Sequence, residues 1–258
     1  MSNERQQRAA RAEQMRKERE KADRKQRNLI SIGIVVVVIA LIAVGAWGIS
    51  AASKDNKKNT EVIQPANATD DFGIVYTTAD AGGTPAADGS EPVSVELYED
   101  FQCPACLAFE QQSSEFLKGQ VSSGAITITY RPFSFLDELG GSPNEYSHRS
   151  TNVALCVLDQ NGVTDYVKVH DYLYQNQPDE GTAGPENADL IEAMSGLGIT
   201  GIDSCVKTEK FVPWVDEAKD AGSKKDVSST PTVLVAGKVL ENPNPQTLQA
   251  AIDAAKAS

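Results

Sequence analysis

Apolar and polar positions first fall into a regular pattern at Val93, Val95 and Leu97, which alternate with Ser94, Glu96 and Tyr98. A period of two is the signature of a strand. The segment Glu99-Asp100-Phe101-Gln102 forms a turn, and from Pro104 to Lys118 the spacing becomes helical, with proline at a favoured first position. Ile126 to Tyr130 alternates again and predicts a second strand, closed by Arg131-Pro132. A helical block follows. One helix is expected over Asn144–Asp159, stopping at Asn161-Gly162, and a second carries Tyr166, Val169, His170 and Leu173 on one face. After a loop over Pro178–Asn187, Leu190, Ile191, Met194 and Leu197 mark a third helix, and a fourth lies around Trp214–Ala221. Thr232–Val235 and Val239-Leu240 flank a Gly237-Lys238 turn as strands. Leu248, Ala251, Ile252 and Ala255 share a face of a last helix. The order β-α-β, helices, β-β-α predicts an α/β fold, a small mixed sheet interrupted by a helical insertion over about residues 140–222.

A different pattern precedes this body. Leu29 to Ile49 is 21 residues without a formal charge, enough for a helix of roughly 30 Å and one bilayer core. Residues 1–28 form a basic arm with ten Lys/Arg against five acids, and the rest of the 258-residue chain carries −17, for −12 overall. The apolar run exceeds the roughly 7–15 residues of a cleaved signal, although cleavage after Ser50-Ala51-Ala52 is the alternative. By the positive-inside rule the arm stays cytoplasmic and everything after the span lies outside the cell membrane. Residues 50–90, rich in Ala, Asp, Thr, Gly and Ser, are expected to be a flexible extracytoplasmic linker to a domain over 91–258. The polyanionic body argues against nucleic acid as a partner.

The four cysteines all fall in the segment expected outside: Cys103, Cys106, Cys156 and Cys205. They admit three pairings, and oxidising surroundings favour disulfides over zinc. With one close pair only, and with both His148 and His170 assigned to helices in packing or surface roles, no metal and no cofactor is expected. Cys103 and Cys106 sit at a strand-to-helix junction. Unpaired N–H groups and the helix dipole there favour thiolate, making Cys103 a nucleophile and good leaving group. Cys106, one turn on, can attack a mixed disulfide at Cys103. An inert CxxC staple is the bland alternative. A Cys156–Cys205 bridge would close about 50 residues and stabilise the fold by roughly 4 kcal/mol in the chain-entropy model, against roughly 2 for the short loop. The long bridge therefore suits structure and the short one exchange, with a second redox pair as the rival reading.

At Glu99-Asp100-Phe101-Gln102-Cys103-Pro104-Ala105-Cys106, and again at Ser229-Thr230-Pro231-Thr232 before an apolar strand, the chain resembles the DsbA-like branch of the thioredoxin superfamily. The anchor and the cysteine pair within the insertion are most similar to membrane-anchored actinobacterial DsbA-like proteins. The resemblance covers about residues 92–257. It implies a thioredoxin fold with a helical insertion, preceded by a single transmembrane helix. It also implies catalytic Cys103 and Cys106 around Pro104 and Ala105, and Thr230 and Pro231 binding substrate backbone through a cis-proline loop. The implied activity is extracytoplasmic introduction of disulfides into reduced secreted or cell-envelope proteins. Reoxidation would come from a membrane quinone-linked partner of the DsbB or vitamin-K-epoxide-reductase kind. Three positions depart from the family. Leu97 stands where a buried acid is common, leaving proton handling to water or another group such as Glu99. Ala105 replaces a histidine, and Thr230 stands where many oxidases have valine, as in disulfide isomerases. A reductase or isomerase is therefore the runner-up, although residues 50–90 are too polar and short for the dimerisation domain of such isomerases, and a monomer is expected. A redox-inert anchored binding domain or copper chaperone is a third possibility that the Cys-Pro-Ala-Cys spacing disfavours.

Overall fold

The computed structural model describes residues 61–87 and 89–257. The span expected at 29–49 and the arm before it lie outside these residues. Among the described residues no helix is long and apolar enough to cross a membrane.

The alternation at Val93–Glu99 becomes β2, and its partner Ile126–Pro132 becomes β3, pairing parallel with Val95 opposite Ile128 and Leu97 opposite Tyr130. Helix α1, Pro104–Ser122, makes the crossover that a parallel pair requires. On its other edge β2 pairs antiparallel with β4, Thr232–Val235, which turns into β5, Lys238–Val239. With β1 at Ile74–Tyr76, the sheet order is β1-β3-β2-β4-β5. Val95, Leu97, Ile126, Ile128, Val233 and Val235 are almost wholly buried in one continuous core. Towards the end of β2 both faces are covered, because Tyr98 packs with Phe133 and Val227 in a separate cluster.

Strand β1, Ile74–Tyr76, corrects the expectation of a linker over residues 50–90. It pairs antiparallel with β3, and Ile74 is fully buried. Around it, Phe72 stacks on Trp214 at 5.2 Å, and Asp71 pairs with Arg131 at 2.8 Å. Gly124 (φ +75°) lies so close to the incoming chain that a Cβ would sit 2.5 Å from the Ala86 nitrogen. The segment is polar and poor in core residues, yet β1 pairs with β3, and Ile74, Tyr76 and Phe72 pack on the core.

The helices α2 (Tyr146–Asn161), α3 (Val163–Gln175), α4 (Asn187–Gly196), α5 (Asp203–Lys207) and α6 (Val212–Ser223) lie between β3 and β4. Helix α2 is buried on all sides from Tyr146 to Leu158 although it carries Ser147, His148, Arg149, Ser150, Thr151 and Asn152. Burial of such groups demands partners. Ser150 and Thr151 bond back to α2 carbonyls, Asn152 accepts the Phe211 N–H at 2.8 Å, and Arg149 donates to the Asn144 carbonyl. His148 bridges Asp137 and Asp216, so it is a buried ionic link rather than a surface residue. Helix α7, Pro245–Lys256, starts on an Asn244 cap and buries Leu248 and Ile252.

Candidate active site

Strand β2 carries the chain into the site and α1 begins there. Cys103 is the N-cap of α1, in extended conformation, and Pro104 takes the first helical turn without losing a hydrogen bond. The Cys103 carbonyl accepts the Leu107 N–H at 3.2 Å. No side chain caps this helix start, which leaves the N–H groups of Ala105 and Cys106 to act on the Cys103 sulfur. Facing it, the Thr230–Pro231 peptide bond is cis, and Cys103 Sγ donates to the Thr230 carbonyl at 3.6 Å. The fold thus brings together Cys103, Pro104, Ala105, Cys106, Thr230 and Pro231 from two ends of the sequence. Pro104 and Ala105 are exposed, whereas Cys103 is 6% accessible and Cys106 is fully buried. Cys156 and Cys205 are joined by a disulfide between α2 and α5, with Cα atoms 5.9 Å apart.

The two free thiols are electrostatically unlike. The Cys103 thiol is held down to about 6, chiefly by the Cys106 thiol and against burial, with help from the Thr230 side chain and the helix N–H groups. Cys106 is pushed well above the ordinary thiol range by burial, then by Cys103 and the Glu99 carboxylate. A thiolate near the surface beside a fully buried thiol is suited to nucleophilic exchange in which the outer sulfur attacks and leaves.

Asp100 holds the loop before Cys103. Its Oδ1 accepts from the Gln102 N–H (2.8 Å) and the Ser147 hydroxyl (2.7 Å), and its Oδ2 from the Phe135 and Leu136 N–H groups (2.9 and 3.2 Å). Its carbonyl accepts the Cys103 N–H. The helical insertion grips the same loop. Gln177 donates to the Cys103 carbonyl at 3.1 Å, and Gln102 donates to the carbonyls of Asp179 and Thr182. Reading the sequence missed all three side chains, because, apart from the Gln102 N–H, their partners lie 35 to 80 positions away.

Behind Cys106 sits a second group. Leu97, six residues before Cys103, packs between Tyr130 and Val233 in the sheet. Carboxylates come instead from Glu99 and Glu110. Glu99 Oε2 lies 3.3 Å from His170 Nε2, and His170 is ringed by Phe101, Tyr130, Tyr166 and Tyr174. His170 is thus core, held by ionic contacts as well as packing. Burial opposes its charge, but Asp171, Glu99 and Glu110 raise its pKa to about 10. Burial, then Glu99, raises Glu110. Glu110 was legible in principle: Cys106, Glu110, Ser113, Leu117 and Val121 make the buried face of α1, so a glutamate occupies a core position of the stripe.

The thioredoxin family model matches residues 82–254. The solved structure of the reduced disulfide bond oxidoreductase DsbG from Mycobacterium tuberculosis is 28% identical, with a TM-score of 0.60, covering 74% of this chain and 95% of that one. Reduced DsbA from the same organism is 27% identical with a TM-score of 0.58, covering 72% and 98%. Disulfide bond formation protein D from Bacillus subtilis (strain 168) is 23% identical over 155 residues, 58% of this chain and 66% of that protein's length. With two cysteines at the start of the crossover helix, a cis-proline opposite them and this sheet order, the chain belongs to the thioredoxin family, as a member similar to its DsbA-like disulfide oxidoreductases.

Proposed function

We propose that this chain is a membrane-anchored protein disulfide oxidoreductase that oxidises reduced secreted or cell-envelope proteins through Cys103 and Cys106. The observation that carries this reading is the unequal pair: Cys103 ionised from about pH 6 and Cys106 held as a thiol. In the oxidised enzyme a substrate thiolate attacks Cys103 Sγ, and the Cys103–Cys106 bond breaks, with Cys106 leaving and taking a proton. A second substrate thiolate then attacks the substrate sulfur of the mixed disulfide and expels Cys103 as thiolate. Two electrons have passed from substrate to enzyme, and the substrate holds a new disulfide. The Thr230 and Pro231 loop lines the substrate strand beside Cys103.

Stabilising the reduced enzyme's thiolate makes its disulfide the stronger oxidant. Lowering a thiol from 9.0 to about 6 stabilises the dithiol at pH 7 by about 1.4 kcal/mol, or about 30 mV for two electrons. Thioredoxin's own nucleophile titrates near 7, so a Cys103 thiol at about 6 favours a potential above thioredoxin's roughly −270 mV by less than that amount. Its electrons would pass on to a quinone-linked membrane reoxidase of the DsbB or vitamin-K-epoxide-reductase kind. Residues 1–28 would lie in the cytoplasm and 29–49 in the membrane, which keeps the domain beside emerging substrates.

Equilibration in glutathione buffers tests the direction of chemistry. A potential above thioredoxin's is expected, together with a mostly oxidised pair in growing cells. A potential at or below it, with a reduced pair in cells, would move the assignment to reductase or isomerase, the reading that Thr230 favours. Cys106→Ala should accumulate mixed disulfides through Cys103, and Cys103→Ala should abolish oxidation. Complexes trapped through Cys106 instead would reverse the roles.

A further inference from the structure

Glu99, Glu110 and His170 each offer a ligand atom, and the three atoms lie within 4.8 Å of one another. We propose that these residues form a buried binding site for a divalent transition-metal ion of the zinc, cobalt or manganese class. The proposal is independent of disulfide exchange, since neither reactive sulfur is a ligand.

The donor set suits such an ion. One imidazole nitrogen and two carboxylate oxygens are borderline-to-hard ligands, and three protein ligands with one open position are a recurring zinc arrangement. Two ligands about 2.1 Å from a tetrahedral ion lie about 3.4 Å apart. Glu99 Oε2 and His170 Nε2 already stand at 3.3 Å, so only Glu110 has to close in. The remaining position has room. A cavity of about 10 Å³, lined by Glu99, His170, Tyr130, Tyr166 and Tyr174 among others, adjoins the pair, and about this volume holds one water.

A second observation points to a missing partner. The Glu99 side chain is 7% accessible, yet its Oε1 has no hydrogen-bond partner among the described residues, and neither does His170 Nδ1 in a side chain 2% accessible. A buried carboxylate oxygen without a partner is costly, and a dication held between Glu99 and Glu110 supplies the Glu99 carboxylate with one; His170 Nδ1, on the opposite side of the ring from the ligating Nε2, faces Asp171 instead. The surroundings supply the outer parts of a metal site as well. Asp171 Oδ1 lies 3.9 Å from His170 Nδ1, close to where a carboxylate orients a ligating histidine, and Asp171 is itself paired with Lys118. On the Glu110 side of the cluster, Glu110, Asp171 and Tyr174 line an open pocket of about 230 Å³ between α1 and α3.

The test uses the purified, untagged full chain with Cys103 and Cys106 oxidised to the disulfide, so that no thiol can bind metal. After chelator treatment, Co²⁺ is titrated by visible absorption and Zn²⁺ by calorimetry and competition. A single saturable equivalent is expected, with ligand-field bands and no thiolate-to-cobalt charge transfer. Glu110→Gln, close in shape to the native residue, should weaken binding about tenfold or more. Asp171→Asn should do so by about 10- to 100-fold, while His148→Gln, which removes the other histidine, should leave it intact. Failure of the oxidised chain to bind either ion saturably would overturn the proposal. Equal affinity in wild type and Glu110→Gln would do the same, leaving the cluster a proton-bound network.

Discussion

At the scale of single residues, the site is governed by what surrounds two chemically identical thiols. Cys103 meets helix N–H groups and the edge of solvent. Cys106, one turn deeper, meets burial and the Glu99 carboxylate. Their reactivities should therefore separate with pH. In the reduced protein, the rate of Cys103 alkylation by iodoacetamide should rise with a midpoint near pH 6, while Cys106 stays unreactive until well above pH 9. Thiolate absorbance and mass mapping of the alkylated cysteine measure both. A single midpoint near 8.5 to 9 would remove the electrostatic basis of the exchange mechanism.

At the scale of elements, the reactive turn is not self-supporting. Asp100 ties it to the Phe135-Leu136 segment and to α2, and Gln102 and Gln177 tie it to the loop after α3. Asp100→Asn replaces an acceptor oxygen with an amide that cannot accept, leaving buried donors without partners. We expect a loss of about 2 kcal/mol or more in denaturant unfolding, and slower substrate oxidation because the Cys103 loop loosens. Unchanged stability would mean that these bonds are replaced by water. Elements with long periodic patterns were legible in the sequence: β2, β3, β4 and most helices lie where alternation or helical spacing put them. The three-residue β1 and five-residue α5 were not, because neither is long enough to express a period, and each is held by what it pairs with.

At the scale of the whole molecule, two long-range links stitch the helical insertion. The Cys156–Cys205 bridge spans 49 positions. Replacing both cysteines with alanine should cost roughly 4 kcal/mol by the chain-entropy model, lowering Tm by roughly 10 °C while leaving exchange at Cys103 largely intact. Loss of activity in proportion to unreacted Cys103 would instead make the bridge part of the redox machinery. The other link is His148, whose pKa is lowered by burial but raised more by Asp137 and Asp216, to about 10 from 6.5. The folded state thus holds this proton more tightly than the unfolded state. The stabilisation is complete below about pH 6.5, declines as pH rises above it, and is lost through about pH 10, by at most about 1.4 kcal/mol per pH unit. Wild type should lose stability over that window relative to His148→Gln, as read by denaturant midpoints at fixed pH steps. Parallel curves would show that His148 titrates normally.

The order of elements, the thiol pair at a helix start and the Thr-Pro turn before an apolar strand were written locally, because period, capping and motif spacing depend on neighbours along the chain. The meeting of Cys103 with Thr230, 127 positions apart, was readable only through resemblance. The gathering of Glu99, Glu110 and His170 behind Cys106, the Asp100 hub and the seating of β1 came only from the tertiary structure. Each depends on burial and on partners far away in sequence, and a residue's charge state and role follow from the medium and neighbours that folding gives it.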